Sequence, residues 1–272
     1  MKQLSIAKRT QIIAALVEGN SIRSTVRMTG AAKNTVVKLL LELGDACIKY
    51  QDHAFRNLSC RRIQVDEIWS FCYAKEKNVP QERKGRFGFG DVWTWVALDA
   101  DTKLIPSWLV GDRSADSASL LMRDLASRLR YRVQLTTDGH RAYLTAVEEA
   151  FGGDVDFSQL IKIYGNATEP DTRYSPGECI GTKQERIVGN PNPMRRFTRL
   201  TNGFSKKIEN HITAVALFYM YYNFVRIHQT LRITPAMAAG VSEHVWDIEE
   251  IVGLLPEQKS GARGPYKKRN SN

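Results

Sequence analysis

Residues 5–43 place apolar side chains at the spacing of three short helices. The first helix is predicted to end at Gly19, and the second to begin at Ser21, whose hydroxyl is a favoured N-cap. The third is predicted over residues 31–43, with Gly44 closing it, because glycine commonly follows the last turn of a helix. Short helices joined by a glycine-containing turn are typical of a helix-turn-helix module. An ordinary three-helix packing unit shows the same pattern, so both interpretations stay open.

From residue 61 the apolar period changes to that of β-strands. Residues 61–73 alternate polar and apolar positions and are rich in aromatic and β-branched residues. A β-hairpin, a helix, a strand and a second helix are predicted next, at residues 91–98 with 103–110, then 115–129, 133–137 and 141–151. Strands and helices in this order predict the α/β class with a mixed sheet.

The remaining segments add one long helix and two irregular stretches. A helix is predicted over residues 204–227, whose apolar side chains are expected to face the sheet: Ile208, Ile212, Val215, Tyr219 and Tyr222. Residues 165–193 hold four of the nine prolines and are predicted to form a loop. The basic stretch at residues 259–269 is predicted to be disordered. We expect a helix-turn-helix domain, a sheet domain and a C-terminal segment, at residues 1–55, 60–240 and 241–272.

The chain has 272 residues, and its 39 lysines and arginines exceed its 29 aspartates and glutamates, giving a formal charge of +10. Hydrophobic residues make up 43% of the sequence, which is enough for a packed core and excludes wholesale disorder. The charge indicates a polyanionic partner, but it does not separate nucleic acid from an acidic protein or a membrane surface. The four cysteines have no Cys-x-x-Cys spacing, and the sequence shows neither a membrane helix nor a secretory signal. We therefore expect a reduced, cytoplasmic protein without a structural zinc site.

Two aspartates occupy positions that call for an explanation. Asp66 lies in the middle of a predicted strand among apolar neighbours, where a lone carboxylate is costly to bury. Asp138 lies at the C-terminal end of a later strand, the edge at which open α/β sheets place their sites. If the two strands are neighbours, the carboxylates converge and suit Mg²⁺ or Mn²⁺, two of which promote phosphoryl transfer when about 4 Å apart. The alternatives are a plain turn at Asp138 and a half-exposed surface position for Asp66.

The start of the third helix carries polar side chains that suit DNA. In a helix-turn-helix module the last helix enters the major groove, where lysine neutralises phosphates and Asn or Thr bonds to base edges. The candidate DNA-binding residues are Lys33, Asn34, Thr35 and Lys38. A solvated polar helix face would explain the same residues.

Four strings of residues resemble the DDE transposases of the insertion-sequence-one type. They are residues 65–71 (VDEIWSF), 136–143 (TTDGHRAY), 194–207 (MRRFTRLTNGFSKK) and 222–236 (YNFVRIHQTLRITPA). The resemblance extends from the helical segment to about Gly240. It implies a ribonuclease H-like fold and a homo-oligomer that uses Mg²⁺ or Mn²⁺. It also implies cutting of double-stranded DNA at the terminal inverted repeats and joining of the 3′ ends to target DNA.

The resemblance assigns Asp66 and Asp138 to the first two acidic positions of the family, as catalytic residues and metal ligands. In family members a segment like residues 187–193 (IVGNPNP) is followed by a helix with a Glu-Arg-x-Asn motif, which supplies the third acidic residue. This sequence passes straight from that segment to the next matching string. Glu185 is the nearest replacement as third catalytic carboxylate, and Glu209 is a further candidate.

Basic residues near the expected metal site are predicted to hold DNA phosphates: His140, Arg141, Arg195, Arg196 and Arg199. A helix start or a solvated surface would also account for them. Two functions are therefore open. One is a transposase that binds terminal inverted repeats and catalyses metal-dependent strand cleavage and strand transfer. The other is an inactive, truncated derivative that only binds DNA.

Overall fold

The computed structural model describes residues 4–164, 179–189 and 204–256. It begins with three helices, α1 (Ile6–Val17), α2 (Ile22–Thr29) and α3 (Lys33–Ala54). Ser5 and Ser21 cap the first two helices, because each hydroxyl accepts a hydrogen bond from the backbone N–H three residues later. Gly30 ends α2 at a φ of 67°, a left-handed conformation that glycine adopts without strain. Three helices are present as predicted, while their assignment as a helix-turn-helix domain stays a prediction.

Helix α3 is longer than predicted, because Gly44 does not end it. The helix continues past Gly44 to Ala54. A Cβ atom on Gly44 would lie 2.4 Å from the Cβ of Thr213, which belongs to helix α6 (Ile208–Phe224). The prediction that Gly44 closes a short helix is wrong. The glycine instead lets α3 and α6 pack closely, because it has no side chain at their contact.

Within the described ranges, a seven-stranded mixed sheet follows these helices. Its strands are β1 (Arg62–Cys72), β2 (Gly90–Asp99), β3 (Ser107–Gly111), β4 (Val133–Asp138), β5 (Val155–Tyr164), β6 (Cys179–Val188) and β7 (Phe204–Ser205). The order across the sheet is β3-β2-β1-β4-β5-β6, and β7 pairs with the end of β1. Strands β1, β2 and β3 are antiparallel, whereas β4 is parallel to both β1 and β5. This arrangement is consistent with the ribonuclease H-like fold that the resemblance implies.

The second strand of the predicted hairpin starts later than expected, at Ser107 instead of residue 103. Pro106 has no backbone N–H to give to the sheet. The N–H of Ile105 bonds instead to Asn223 Oδ1 of α6, at 3.0 Å. The segment before Ser107 therefore bonds to a helix as well as to β2, where the Leu104 carbonyl accepts from the N–H of Asp99 at 2.8 Å.

The predicted loop at residues 165–193 contains a strand. Strand β6 pairs antiparallel with β5, a strand that the sequence analysis does not predict. All four prolines of the predicted loop fall outside β6. Because residues 179–188 form a strand, the prediction of a loop over the whole of residues 165–193 is wrong.

Helices cover both faces of the sheet. Two of them, α4 (Ala115–Arg128) and α5 (Ala142–Phe151), agree with the predicted ranges. Two adjacent residues of β2 point to opposite faces and contact different helices. The Trp95 ring lies 5.5 Å from the ring of Tyr143 in α5, and Val96 packs against Tyr219 of α6. The sheet is thus the middle of three layers.

Helix α6 is buried on two sides. It is shorter than the predicted range of 204–227, since residues 204–205 form β7 instead. The predicted apolar side chains do contact the sheet face. The other side packs on α3, where Gln51 Nε2 donates to the Ala216 carbonyl at 3.3 Å. This second contact joins the N-terminal helices to the sheet layer and is absent from the prediction.

One buried apolar cluster connects all these parts. It includes Leu43 of α3, Val65 of β1, Leu121 of α4 and Met220 of α6. Two short helices, α7 (Pro235–Ala238) and α8 (Ile248–Gly253), follow, and α8 packs against α1. The domain boundaries near residues 55, 60 and 240 stay predictions. None of the helices that the structure describes is long and apolar enough to cross a membrane.

Replacing Gly44 by alanine is expected to lower the free energy of unfolding by about 1–3 kcal/mol, the usual cost of adding a methyl group to a packed contact. The gain in helix propensity does not offset this cost, because the new Cβ would also lie 2.7 Å from the Thr213 Cα. Gly253→Ala is the matched control, since Gly253 is helical and a Cβ there meets nothing within 4 Å. Urea unfolding measures both variants, and an unchanged midpoint for Gly44→Ala would contradict the close packing of α3 on α6.

Candidate metal centre

The two predicted aspartates lie side by side where two parallel strands part. Strands β1 and β4 are neighbours and pair in parallel as far as Val65 and Thr137. Asp66 and Asp138 are the next residues of the two strands. Residues at matched positions of parallel strands point to the same face. Their side chains accordingly approach one another, and a carboxylate oxygen of each lies within 4.8 Å of the other.

Backbone N–H groups orient both aspartates. Asp66 Oδ1 accepts from the N–H of Glu67 at 2.9 Å, and Asp138 Oδ1 accepts from the N–H of His140 at 3.0 Å. The buried Gln159 side chain of β5 holds the second of these turns, because its Nε2 donates to the carbonyls of Asp138 and His140 at 3.0 and 3.2 Å. Both carboxylates are thus fixed by the strands that carry them.

Glu67 is a third carboxylate at this place, and the sequence analysis missed it. One of its oxygens lies within 4.8 Å of ligand oxygens of both Asp66 and Asp138. Only 1% of its side chain is exposed. Strand alternation predicts that Glu67 faces away from Asp66, which is why the sequence did not suggest it. The available signal was a second acidic residue directly after Asp66 in the predicted strand.

Burial and crowding change the ionisation of Glu67. Its pKa is raised from the usual 4.5 to about 7, first by burial and then by the negative charge of Asp138. Tyr143 and Arg113 act in the opposite direction. The Tyr143 hydroxyl and Glu67 Oε1 are both buried, and within the described residues neither makes a hydrogen bond of normal geometry. The hydroxyl is still close enough to lower the Glu67 pKa.

Arg113 brings a positive charge to the acidic cluster. It follows β3, and its Nη2 lies 3.2 Å from Glu67 Oε2 and 3.8 Å from Asp138 Oδ2. Its guanidinium carbon stacks 4.7 Å above the centre of the Trp93 ring. The neighbouring Asp112 fixes the loop, because its carboxylate accepts hydrogen bonds from the turn that starts α4. The Arg113 guanidinium is therefore held in place by stacking on Trp93 as well as by its attraction to the carboxylates.

His140 and Arg141, predicted to touch DNA, border the cluster. The Nδ1 atom of His140 accepts from the N–H of Ala142 at 3.1 Å. Its pKa is lowered by burial and by Arg113. Arg141 is exposed at the beginning of the same helix. The structure thus gives His140 a hydrogen bond to the first residue of α5 and leaves Arg141 exposed at the start of that helix.

Glu185, the predicted third catalytic residue, is not brought to the aspartates. It is exposed on β6 opposite Gln159, which pairs in turn with Thr137. Since Thr137 precedes Asp138, the register places Glu185 on the face opposite to Asp138. Neither Glu185 nor the exposed Glu209 belongs to the cluster of acidic ligand atoms found among the described residues. The catalytic assignment of Glu185 stays a prediction.

The predicted DNA-binding residues of the N-terminal helices lie at the start of α3. Lys33 and Asn34 are exposed, Thr35 is half-buried, and Lys38 is exposed with its Nζ 3.5 Å from Glu42. The three exposed side chains are accessible to a partner. The predicted phosphate contacts Arg195, Arg196 and Arg199 lie outside the described residues.

The donor set of the cluster suits a hard divalent cation. Carboxylate oxygens are the ligands that Mg²⁺ and Mn²⁺ prefer, and side-chain oxygens of Asp66 and Asp138 come together here. A cation would also relieve the repulsion between carboxylates that lie this close. The residues present therefore fit a divalent metal ion.

No family model and no curated protein matches the chain. Among solved structures the chain is similar to three Mos1 transposase complexes. The strand transfer complex is 14% identical, with 58% of this chain and 59% of that chain covered and a TM-score of 0.26. The paired-end complex with the left transposon end is 16% identical, and the match covers 55% of this chain and 58% of that chain with a TM-score of 0.22. The mariner paired-end complex with Mn is 13% identical, and the match covers 56% of this chain and 58% of that chain with a TM-score of 0.22. The match spans less than two thirds of the length of each of these chains.

The raised pKa of Glu67 predicts how the stability of the metal-free protein changes with pH. Between pH 4.5 and about 7 the folded state keeps a proton that the unfolded state has lost, so stability falls as the pH rises through this window. Glu67→Gln removes the titrating group. It should flatten this fall and raise the free energy of unfolding above pH 7 by an amount on the order of 2 kcal/mol.

Urea unfolding across this pH window, with EDTA present, measures the effect. Glu149→Gln is the matched control, because Glu149 also pairs with an arginine, Arg123, at 3.0 Å but is exposed and distant from the cluster. Parallel pH profiles for the wild type and Glu67→Gln would show that burial does not perturb Glu67.

Proposed function

We propose that this protein is a transposase of the DDE type, which binds terminal inverted repeats and performs metal-dependent cleavage and transfer of DNA strands. The observation that carries this proposal is the meeting of Asp66 and Asp138 at the point where β1 and β4 part. Two carboxylates on adjacent parallel strands form a rigid site for divalent cations, and phosphoryl transfer is the chemistry that such cations promote in paired sites. The resemblance of the sequence strings agrees with this chemistry.

In the proposed reaction Asp66 and Asp138 would hold Mg²⁺ or Mn²⁺. The chemistry that such ions would supply there is activation of a water or a 3′-hydroxyl and stabilisation of the leaving oxygen. The chain itself supplies the orientation, since backbone N–H groups fix one oxygen of each aspartate and Gln159 fixes the turn after Asp138. Arg113, partly exposed beside the aspartates, is suited to bind a phosphate of the DNA strand.

Double-stranded DNA is the proposed partner. The net charge of +10 favours a polyanion, and the exposed lysines at the start of α3 offer contacts to the DNA backbone. Arg141 at the start of α5 would hold DNA near the reacting centre, as would Arg195, Arg196 and Arg199. Joining two ends of a mobile element requires both to be held together, so we propose that the protein acts as a homo-oligomer.

A second candidate function is DNA binding without catalysis. It is favoured by one observation, the missing sequence segment that carries the third acidic residue in the family. A derivative of this kind would occupy the terminal repeats and compete with an active copy. The two candidates differ in product formation and not in binding.

Asp66→Asn and Asp138→Asn are expected to abolish strand cleavage and strand transfer while DNA binding persists, because each removes a charged ligand without changing the fold. Asp116→Asn is the matched control, since Asp116 is an exposed aspartate in the first turn of α4. The substrate is duplex DNA copied from the regions that flank the gene, with Mg²⁺ or Mn²⁺. Gel analysis measures nicked and joined strands, and mobility shift measures binding.

The outcome separates the candidates. Nicked or joined product from the wild type that disappears in both aspartate variants supports the transposase. Binding by the wild type without any product supports the second candidate. Full activity of Asp66→Asn would contradict the proposed metal centre.

Lys33→Ala and Lys38→Ala are expected to weaken DNA binding. Each should also lower the slope of log affinity against log salt by about one unit for every phosphate that the lysine neutralises. Lys49→Ala is the matched control, because Lys49 is exposed on the same helix but far from its start. Fluorescence anisotropy at several salt concentrations measures both quantities. Unchanged affinity and slope would place the DNA-binding surface elsewhere.

A further inference from the structure

We propose that Glu67 is the third carboxylate of the metal centre, so that two consecutive residues of one strand and Asp138 of the next form the ligand set. This inference rests on the proposed function, because it completes the cation site that Asp66 and Asp138 begin. It assigns the third ligand to β1, in place of Glu185 on β6 or a residue from a later helix.

The position of Glu67 supports this role. Its ligand oxygen lies within 4.8 Å of ligand oxygens of Asp66 and Asp138, a spread that one or two small cations can bridge. Pairing between β1 and β4 ends at Val65 and Thr137. The strands separate beyond this pair, so a side chain from either face can approach the gap between them. Consecutive residues of β1 can therefore contribute to one site despite strand alternation.

The environment of Glu67 is that of a ligand and not of a surface carboxylate. Its side chain is almost fully buried, since only 1% is exposed. Oε1 has no hydrogen bond of normal geometry among the described residues. The buried Tyr143 hydroxyl lies close to the same carboxylate and lowers its pKa as a hydrogen-bond donor. A cation bound between the carboxylates would stabilise their buried charge more strongly than this neutral hydroxyl does.

Arg113 offers a competing explanation for Glu67. Its guanidinium is 3.2 Å from Glu67 Oε2, so the glutamate could serve only to position the arginine. The two roles differ in whether removing the arginine and removing the glutamate have the same effect on cation binding. If Glu67 is a ligand, loss of the nearby positive charge strengthens cation binding or leaves it unchanged. If Glu67 only positions Arg113, loss of either residue has the same effect.

The test measures Mn²⁺ binding to the full-length protein by electron paramagnetic resonance, without DNA. Glu67→Gln should weaken Mn²⁺ binding about tenfold or more, a loss typical of disturbed metal sites. Arg113→Met keeps an apolar stem over Trp93 and should bind Mn²⁺ at least as tightly as the wild type. Glu149→Gln, which removes an arginine-paired carboxylate elsewhere, should leave Mn²⁺ affinity unchanged. Urea unfolding with EDTA verifies that each variant is folded.

Each other result overturns a stated part of the proposal. Equal weakening by Glu67→Gln and Arg113→Met would make Glu67 a positioning residue for the arginine. Weakening by Glu185→Gln and not by Glu67→Gln would assign the third ligand to β6. If Asp66→Asn and Asp138→Asn abolish Mn²⁺ binding while Glu67→Gln does not, this inference fails and the proposed function stands. If none of these variants changes Mn²⁺ binding, the metal centre itself fails.

Discussion

The candidate site depends on the parallel pairing of β1 with β4, and on where that pairing stops. The register matches Val65 with Thr137, so the next residues are two aspartates on one face of the sheet. A shift of one residue would send one aspartate to the opposite face. Because the strands separate after this pair, the aspartates border a gap instead of a continuous hydrogen-bonded ladder. Acidic residues are tolerated there, next to buried apolar positions of the same strands such as Val65 and Leu135.

The surrounding elements hold this point rigid from several directions. Gln159 ties the turn after Asp138 to β5, and the loop after β3 is fixed by Asp112. Helix α6 presses on the sheet from one side and contacts α3 on the other, with Gly44 allowing that second contact. The N-terminal helices are thereby coupled to the layer that carries the carboxylates. A site that must place ligand oxygens closely benefits from such support by packed strands and helices.

Local pattern predicted much of the fold. The strand at β1, the helices α4 and α5 and the sheet-facing side of α6 follow from alternation and helical spacing that neighbouring residues determine. The convergence of Asp66 and Asp138 required only that their strands be neighbours. Features set by distant contacts were not predictable. From local sequence alone, Gly44 is typical of a helix end, and only the neighbouring α6 shows why a glycine is needed there. Likewise, strand alternation predicts opposite faces for Asp66 and Glu67, and only the gap between β1 and β4 shows that both can reach one site.

Arg113 and the protonated Glu67 both reduce the repulsion between the carboxylates of the site. Carboxylates this close repel one another, and the protein without a cation has two ways to lessen that repulsion. Arg113 lies within 4 Å of Glu67 and Asp138, and Glu67 holds its proton to about pH 7. A divalent ion would supply the same compensation with the geometry that phosphoryl transfer needs. In the proposed function Arg113 would then exchange a carboxylate for a phosphate of the DNA strand. The same guanidinium would balance the carboxylates before a cation binds and hold the DNA afterwards.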